Sequence, residues 1–222
     1  MSEVKIRNAA TVILVRGNGQ DAAVLMGQRG KSAVFMPSKF VFPGGAVDAD
    51  DAQIPLNYPV SATCQARLQA QTDPALAKPL MLAAIREMWE ETGHALGRKG
   101  HPPQVVPQAW QSFYEQGLVP DASALTFIFR AITPPGRPRR FDARFFLGRA
   151  ELIQGDPDDF SLASDELSHL QWVPLSEARK LDMPFITEVV LAEVQNRLTH
   201  PDTDHKVPFF SQDGDAPIFA HL

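Results

Sequence analysis

Arg86-Glu87-Met88-Trp89-Glu90-Glu91-Thr92-Gly93 places three carboxylates on one stretch of predicted helix. Glu87 precedes Glu90 by three residues and Glu91 by four, so all three share a face. Like charges at this spacing repel, at a cost of roughly 0.2–0.5 kcal/mol per pair. Such a cluster is either a solvated acidic face or one neutralised by a cation, for which Mg2+ and Mn2+ are the oxygen-preferring candidates. Met81, Ala84, Ile85 and Met88 recur at helical spacing on another side, which predicts a helix over 80–92 with a core face. Pro79 suits its first turn and Gly93 its stop. Arg86 stands four residues before Glu90 and can hold that carboxylate in one rotamer.

Upstream, the apolar run Phe40-Val41-Phe42 leads into Pro43-Gly44-Gly45. A glycine pair at a strand end lets a ligand approach the backbone closely, though a plain tight turn uses the same residues. Together the two segments resemble the Nudix box, the signature of the Nudix hydrolase family. That pattern is a Gly, five residues, a Glu, seven residues, then Arg-Glu-apolar-any-Glu-Glu-any-Gly-apolar. Gly45 is followed by five residues and then Asp51, an acid in place of the family's Glu. Arg86, Glu87, Met88, Glu90, Glu91 and Gly93 match in register, while His94 stands where the family has an aliphatic residue. Asp51 and Arg86 are separated by 34 residues, 52 to 85, where the family has seven.

A narrower likeness flanks the glycines. Val24-Leu25-Met26-Gly27-Gln28-Arg29, Phe35-Met36-Pro37-Ser38 and Val41 to Asp48 look like the branch that contains the acyl-coenzyme A diphosphatases, as does Arg139 to Phe146. Members of that branch also carry a long insertion within the box. Its stricter coenzyme A signature has an arginine shortly after Arg29, where this chain has only Lys31.

The resemblance implies an α/β fold, the Nudix-type α/β/α sandwich with a mixed β-sheet and a helical insertion. It covers most of the chain, read as one domain over 1–222 with the insertion at about 52–78. The implied chemistry is Mg2+-dependent (or Mn2+-dependent) hydrolysis of a phosphoanhydride. Glu87, Glu90 and Glu91 would ligate the metal, and Gly44 and Gly45 would let backbone groups approach the phosphates. Arg86 would orient Glu90. The general base would come from the box or from a later loop, where Ser164-Asp165-Glu166 offers Glu166; a solvated acidic loop is the equal alternative. Arg29, Lys39 and the cluster Arg137, Arg139 and Arg140 are candidates for substrate phosphates, each against the commoner outcome of an exposed charge run. The insertion is either a cap over the site or a surface excursion, and its sparse charge suits an apolar or pantetheine-like group.

Composition fits an ordinary globular enzyme: 222 residues, 44% apolar and 21% charged. A net charge of −5 argues against nonspecific nucleic-acid binding. The single Cys64 excludes an intramolecular disulfide. No run approaches the roughly 18 apolar residues of a membrane span, so no membrane partner is expected. Ala9 to Val15, though preceded by Lys5 and Arg7, reads as a core strand rather than a signal peptide. The expected compartment is cytoplasmic, with Ala220-His221-Leu222, loosely like a peroxisomal address, as the alternative. The expected partner is a small-molecule diphosphate, and a homodimer is left open.

Strands are expected over 9–16 and 22–28, joined through Gly17-Asn18-Gly19, and over 40–42, Leu125 to Ile132, Arg140 to Ala150 and Leu170 to Val173. Short helices are expected over Ser61 to Gln71 and 108–116, one capped by Ser176, and a longer one over 184–198. Asp213-Gly214 signals a hairpin between Phe209-Phe210 and Ile218-Phe219. Three functions compete: a coenzyme A or acyl-coenzyme A diphosphatase, an ADP-ribose or dinucleotide pyrophosphatase, and a non-catalytic Nudix-fold binding or regulatory module. Retention of all three helix glutamates disfavours the last.

Overall fold

A computed structural model describes residues 4–201, 203–212 and 217–222. The chain opens with β1 (Ile6–Arg16), β2 (Ala23–Arg29), β3 (Phe40–Val41) and β4 (Gly44–Ala46). The insertion follows, with α1 (Ala62–Gln69) at its centre, and then α2 (Ala77–Thr92). Next come β5 (Gly97–Lys99), α3 (Gln111–Tyr114), β6 (Leu118–Pro120), β7 (Thr126–Ile132) and β8 (Arg140–Arg149). The rest comprises β9 (Leu167–Pro174), α4 (Leu175–Ala178), α5 (Phe185–Thr199), β10 (Pro208–Gln212) and β11 (Pro217–His221).

Nine strands form one mixed sheet in the order β11-β10-β7-β8-β1-β2-β3, with β4 paired to β1 and β9 to β2. β1 and β8 run parallel through ten pairs, from Ile6↔Arg140 to Val15↔Arg149. The alternation of β1 divides the core. Ala10, Val12 and Leu14 join one cluster with α1 and α2, whereas Ile13 and Val15 join another with Val190, Leu191 and Val194 of α5. The sheet is therefore covered on both faces, in the α/β/α order. β1 and β2 pair only at Val15↔Val24 and Arg16↔Ala23; beyond these β4 takes the edge of β1 at Ala9, Ala10 and Thr11. A cleft opens beside that divergence.

Several expected elements shift. α2 begins at Ala77 rather than 80, because Pro79 is tolerated in a first turn. The 108–116 helix is a 3-10 turn, Gln108–Trp110, followed by the short α3. Ser176 is not a cap: Pro174 is, and Ser176 lies within α4. Ser61 does cap α1, its Oγ accepting from Cys64 N at 3.3 Å. The β5–β6 pair was unforeseen, since three-residue strands carry almost no periodicity. Asp213-Gly214 lies outside the described residues, but the flanking strands pair antiparallel from Pro208↔His221 to Gln212↔Pro217.

The insertion is not a cap. Ile54, Val60, Cys64 and Leu68 are buried in the α2-side core, and no residue from 49 to 85 lines the cleft. Lys78 Nζ donates to Ala52 O at 2.9 Å, so the two ends of the excursion touch.

Candidate active site

The cleft has a volume of about 990 Å³. Its acidic wall comes from α2, whose Leu80, Met81, Ala84, Ile85 and Met88 are fully packed and fix the rotation of the helix. Gly93 closes it in the left-handed region, φ +73, with its N–H on Trp89 O. That rotation turns Glu87, Glu90 and Glu91 toward β4. Glu91 is 2% exposed and accepts the N–H of Gly44 at 2.7 Å. Gly45 is pressed against Glu87 so closely that a Cβ there would lie 2.4 Å from its carboxylate.

Arg86 organises the cluster from behind. Its Nη1 donates to Glu87 Oε1 and to Glu90 Oε2, each at 2.9 Å, and Nη2 donates to Ala46 O at 2.9 Å. Nε and Nη2 reach the two oxygens of Asp51 at 2.9 and 3.1 Å. Asp51 also accepts Trp110 Nε1 at 3.1 Å and the N–H of Asp48 at 2.9 Å. Neither Trp110 nor Asp48 was foreseen in this network: the Trp110 contact spans 59 residues and depends on the tertiary fold, whereas Asp48 and Asp51 form a local capping box whose three-residue spacing was the missed signal.

Burial holds the carboxyls above their ordinary range. Glu87 is pushed up to about 7, against a downward pull from Arg86. Glu90 and Glu91 are also raised, first by burial, with the Glu166 charge adding to the upward push on each. Burial pulls the Arg86 guanidinium down, but the Asp51 hydrogen bond and the surrounding carboxylates leave it raised. Acid therefore exceeds base in this part of the cleft. Three hard-oxygen side chains there fit a divalent cation in chemistry and in charge. As placed, no three His, Cys, Asp or Glu side chains among the described residues converge tightly enough to enclose an ion. Oxygens of Glu87 and Glu90 point to Arg86, and one of Glu91 points to Gly44 N.

The other expected site residues divide. Gly44, Gly45, Arg29, Lys39, Arg86 and Glu166 all line the cleft. Arg29 Nε is buried without a hydrogen-bond partner, and Lys39 pairs with Asp182. Glu166 is exposed and follows Ser164, whose N–H donates to Glu90 O at 3.0 Å and docks this loop on α2. Arg140 is the exception. It is 5% exposed, donates Nε to Thr133 O at 2.9 Å and does not line the cleft. The cause is strand alternation: Phe141, Ala143 and Phe145 line the cleft, so Arg140 falls with Asp142 and Arg144 on the opposite face. Arg137 and Arg139 do line it, as does Arg7, whose parity with Ala9 and Thr11 on β1 was the missed signal. No helix among the described residues is long and apolar enough to cross a membrane.

No family model matches the chain. It is 28% identical over 183 residues to the Caenorhabditis elegans protein called nudix hydrolase 7, covering 77% of this chain and 52% of that protein. It is also 28% identical over 236 residues to the acyl-coenzyme A diphosphatase NUDT19 of Gallus gallus, covering 78% and 62%. The chain thus spans between half and two thirds of the curated relatives it matches. A crystal structure of a NUDIX hydrolase from Alicyclobacillus acidocaldarius superposes with a TM-score of 0.65 at 30% identity, covering 86% of this chain and 91% of that one. The NUDIX domain of Shewanella oneidensis NrtR, solved with ADP ribose, shares the fold at a TM-score of 0.50 and 14% identity, covering 87% and 89%.

Proposed function

This chain belongs to the Nudix hydrolase family, and on that premise we propose that it hydrolyses the phosphoanhydride of coenzyme A or an acyl-coenzyme A with Mg2+ or Mn2+ as cofactor. One observation carries the reading: Glu87 and Glu91 abut the glycine pair, and with Glu90 they line a cleft large enough for a nucleotide derivative. Glu87, Glu90 and Glu91 would hold the cation, which supplies charge neutralisation and Lewis acidity when bound. Gly44 and Gly45, lacking side chains, admit the phosphates to the strand end. Arg29 and Lys39 bind phosphate oxygens. Water attacks one phosphorus, the bridging P–O bond breaks, and two phosphomonoesters leave; Glu166 accepts the proton of the water. Arg86 keeps Glu87 and Glu90 in place and touches no reacting atom.

The insertion does not bear on the choice of coenzyme A, since none of its residues lines the cleft. That choice rests on the cleft's apolar side, where Phe145, Phe185 and Phe210 suit a pantetheine or acyl arm, and on the name of the Gallus gallus relative. The test is a panel of coenzyme A, acetyl-coenzyme A, ADP-ribose and a dinucleoside polyphosphate, each assayed with Mg2+ and with Mn2+. Coenzyme A derivatives are expected to give the highest kcat/KM, and Glu91→Gln to lower turnover by orders of magnitude. Faster hydrolysis of ADP-ribose or of the dinucleotide overturns the substrate assignment. Hydrolysis of nothing in the panel, with nucleotide binding retained, leaves a binding module instead.

A further inference from the structure

The cleft is electrically divided. Asp48, Glu87, Glu90, Glu91 and Glu166 supply its negative lining. Among its basic residues, Arg86 is bound to carboxylates, Lys39 pairs with Asp182, and Arg29 lies close enough to Glu91 to lower its pKa. Arg7, Arg137 and Arg139 remain: all three are exposed, and none makes an ion pair or side-chain hydrogen bond among the described residues.

Strand register places these arginines away from the glutamates. Gly45, pressed on Glu87, pairs with Ala10 of β1, while Ile6, four residues earlier, pairs with Arg140, the neighbour of Arg139. At about 3.3 Å per residue that separation is roughly 13 Å. Arg7 pairs with Phe141, whose ring meets Phe35 edge-on at 5.1 Å. Two aromatic rings beside three guanidinium groups without partners among the described residues, at the end of the cleft away from the carboxylates, suit a base and an extra phosphate on its ribose.

We propose that Arg7, Arg137 and Arg139 form a second phosphate subsite, which takes a phosphate monoester on the ribose of the nucleoside diphosphate substrate. The inference rests on the hydrolase reading above and deepens it. The subsite would recognise the 3′-phosphoadenosine end of coenzyme A, and dephospho-coenzyme A or ADP-ribose would leave it empty. The three residues act on specificity and belong to none of the bond-breaking steps.

Binding of adenosine 3′,5′-bisphosphate and of AMP, measured calorimetrically on the whole chain without turnover, tests the subsite directly. The bisphosphate is expected to bind about tenfold or more tightly, and Arg137→Ala/Arg139→Ala to remove most of that preference. The preference should also shrink as ionic strength rises, because the arginines are exposed. In turnover, the ratio of kcat/KM for coenzyme A over dephospho-coenzyme A should fall by a similar factor in the double variant, with thermal melts checking that it folds. Equal affinity for the two nucleotides, or a preference that survives Arg7→Ala/Arg137→Ala/Arg139→Ala, overturns the proposal. If coenzyme A and dephospho-coenzyme A are cleaved equally well, the subsite falls while the substrate reading stands. If coenzyme A is not cleaved, that reading falls and the nucleotide comparison still decides the subsite.

Discussion

The guanidinium of Arg86 and the carboxylate of Asp51 meet at two points, Nε to Oδ1 at 2.9 Å and Nη2 to Oδ2 at 3.1 Å, with Arg86 3% exposed and Asp51 fully buried. Removing one partner of such a pair strands the other charge, at a cost of about 3–5 kcal/mol. Asp51→Ala should therefore lower the melting temperature by about 10 °C or more, and Trp110→Phe, which removes a buried donor to the Asp51 carboxylate, should cost about 1.5–3 kcal/mol. An Asp51→Ala midpoint equal to wild type would refute the anchoring role.

Stability should depend on pH and on divalent metal together. Burial pushes the Glu87 carboxyl up to about 7 in the folded chain, from an ordinary value of 4.5. Between those values the native state binds more protons than the unfolded one, so the metal-free protein should lose stability as pH rises from about 4.5 to 7. Glu90 and Glu91, raised likewise, act in the same direction. Binding of Mg2+ or Mn2+ needs the ionised carboxylates, so the stabilisation by metal should grow across this window. It should reach about 2.7 kcal/mol at a hundred times Kd. Thermal melts with and without metal at each pH read both effects; a metal-free curve that gains stability over the window contradicts the assignment, as does an unchanged metal shift in Glu87→Ala.

Gly45→Ala separates fold from site. The added Cβ would lie 2.4 Å from the Glu87 carboxylate, the far end of a flexible side chain that can swing aside. Melting should change little, while Mn2+ affinity and turnover should fall by about tenfold or more. Wild-type metal affinity in this variant would show that Glu87 is not needed where it stands.

Leu68→Ala examines the insertion. Leu68 is 1% exposed within the core, so its truncation should cost about 2–5 kcal/mol. The ratio of kcat/KM between any two diphosphate substrates should stay as in wild type, because residues 49 to 85 do not line the cleft. A changed ratio at full folding would restore a substrate-facing role.

Local spacing made α2 readable: the three-and-four offsets of Glu87, Glu90 and Glu91 and the packed positions Met81, Ala84, Ile85 and Met88 all lie within a few turns. The strands of the sheet were visible for the same reason, through runs such as Val12 to Val15. Asp51 was noticed as an acid, yet its buried bonds to Arg86 and to Trp110 span 35 and 59 residues of chain, and no local pattern encodes them. The insertion's placement was open because its polar stretches hide four buried residues at irregular spacing, Ile54, Val60, Cys64 and Leu68. Arg140 was misread for a simpler reason. Counting by twos from Phe146, a core residue, puts it on the closed face of β8.

The contact of Lys78 Nζ with Ala52 O has a consequence for engineering. It brings the ends of the excursion together outside the cleft lining, while Asp51 and Arg86 keep the two halves of the box in register. Loop-closure entropy rises only by about 0.6 kcal/mol for each doubling of length. A foreign domain whose termini lie close together could therefore be spliced between these two points as a reporter or a ligand-gated module, with the hydrolytic machinery serving as its readout.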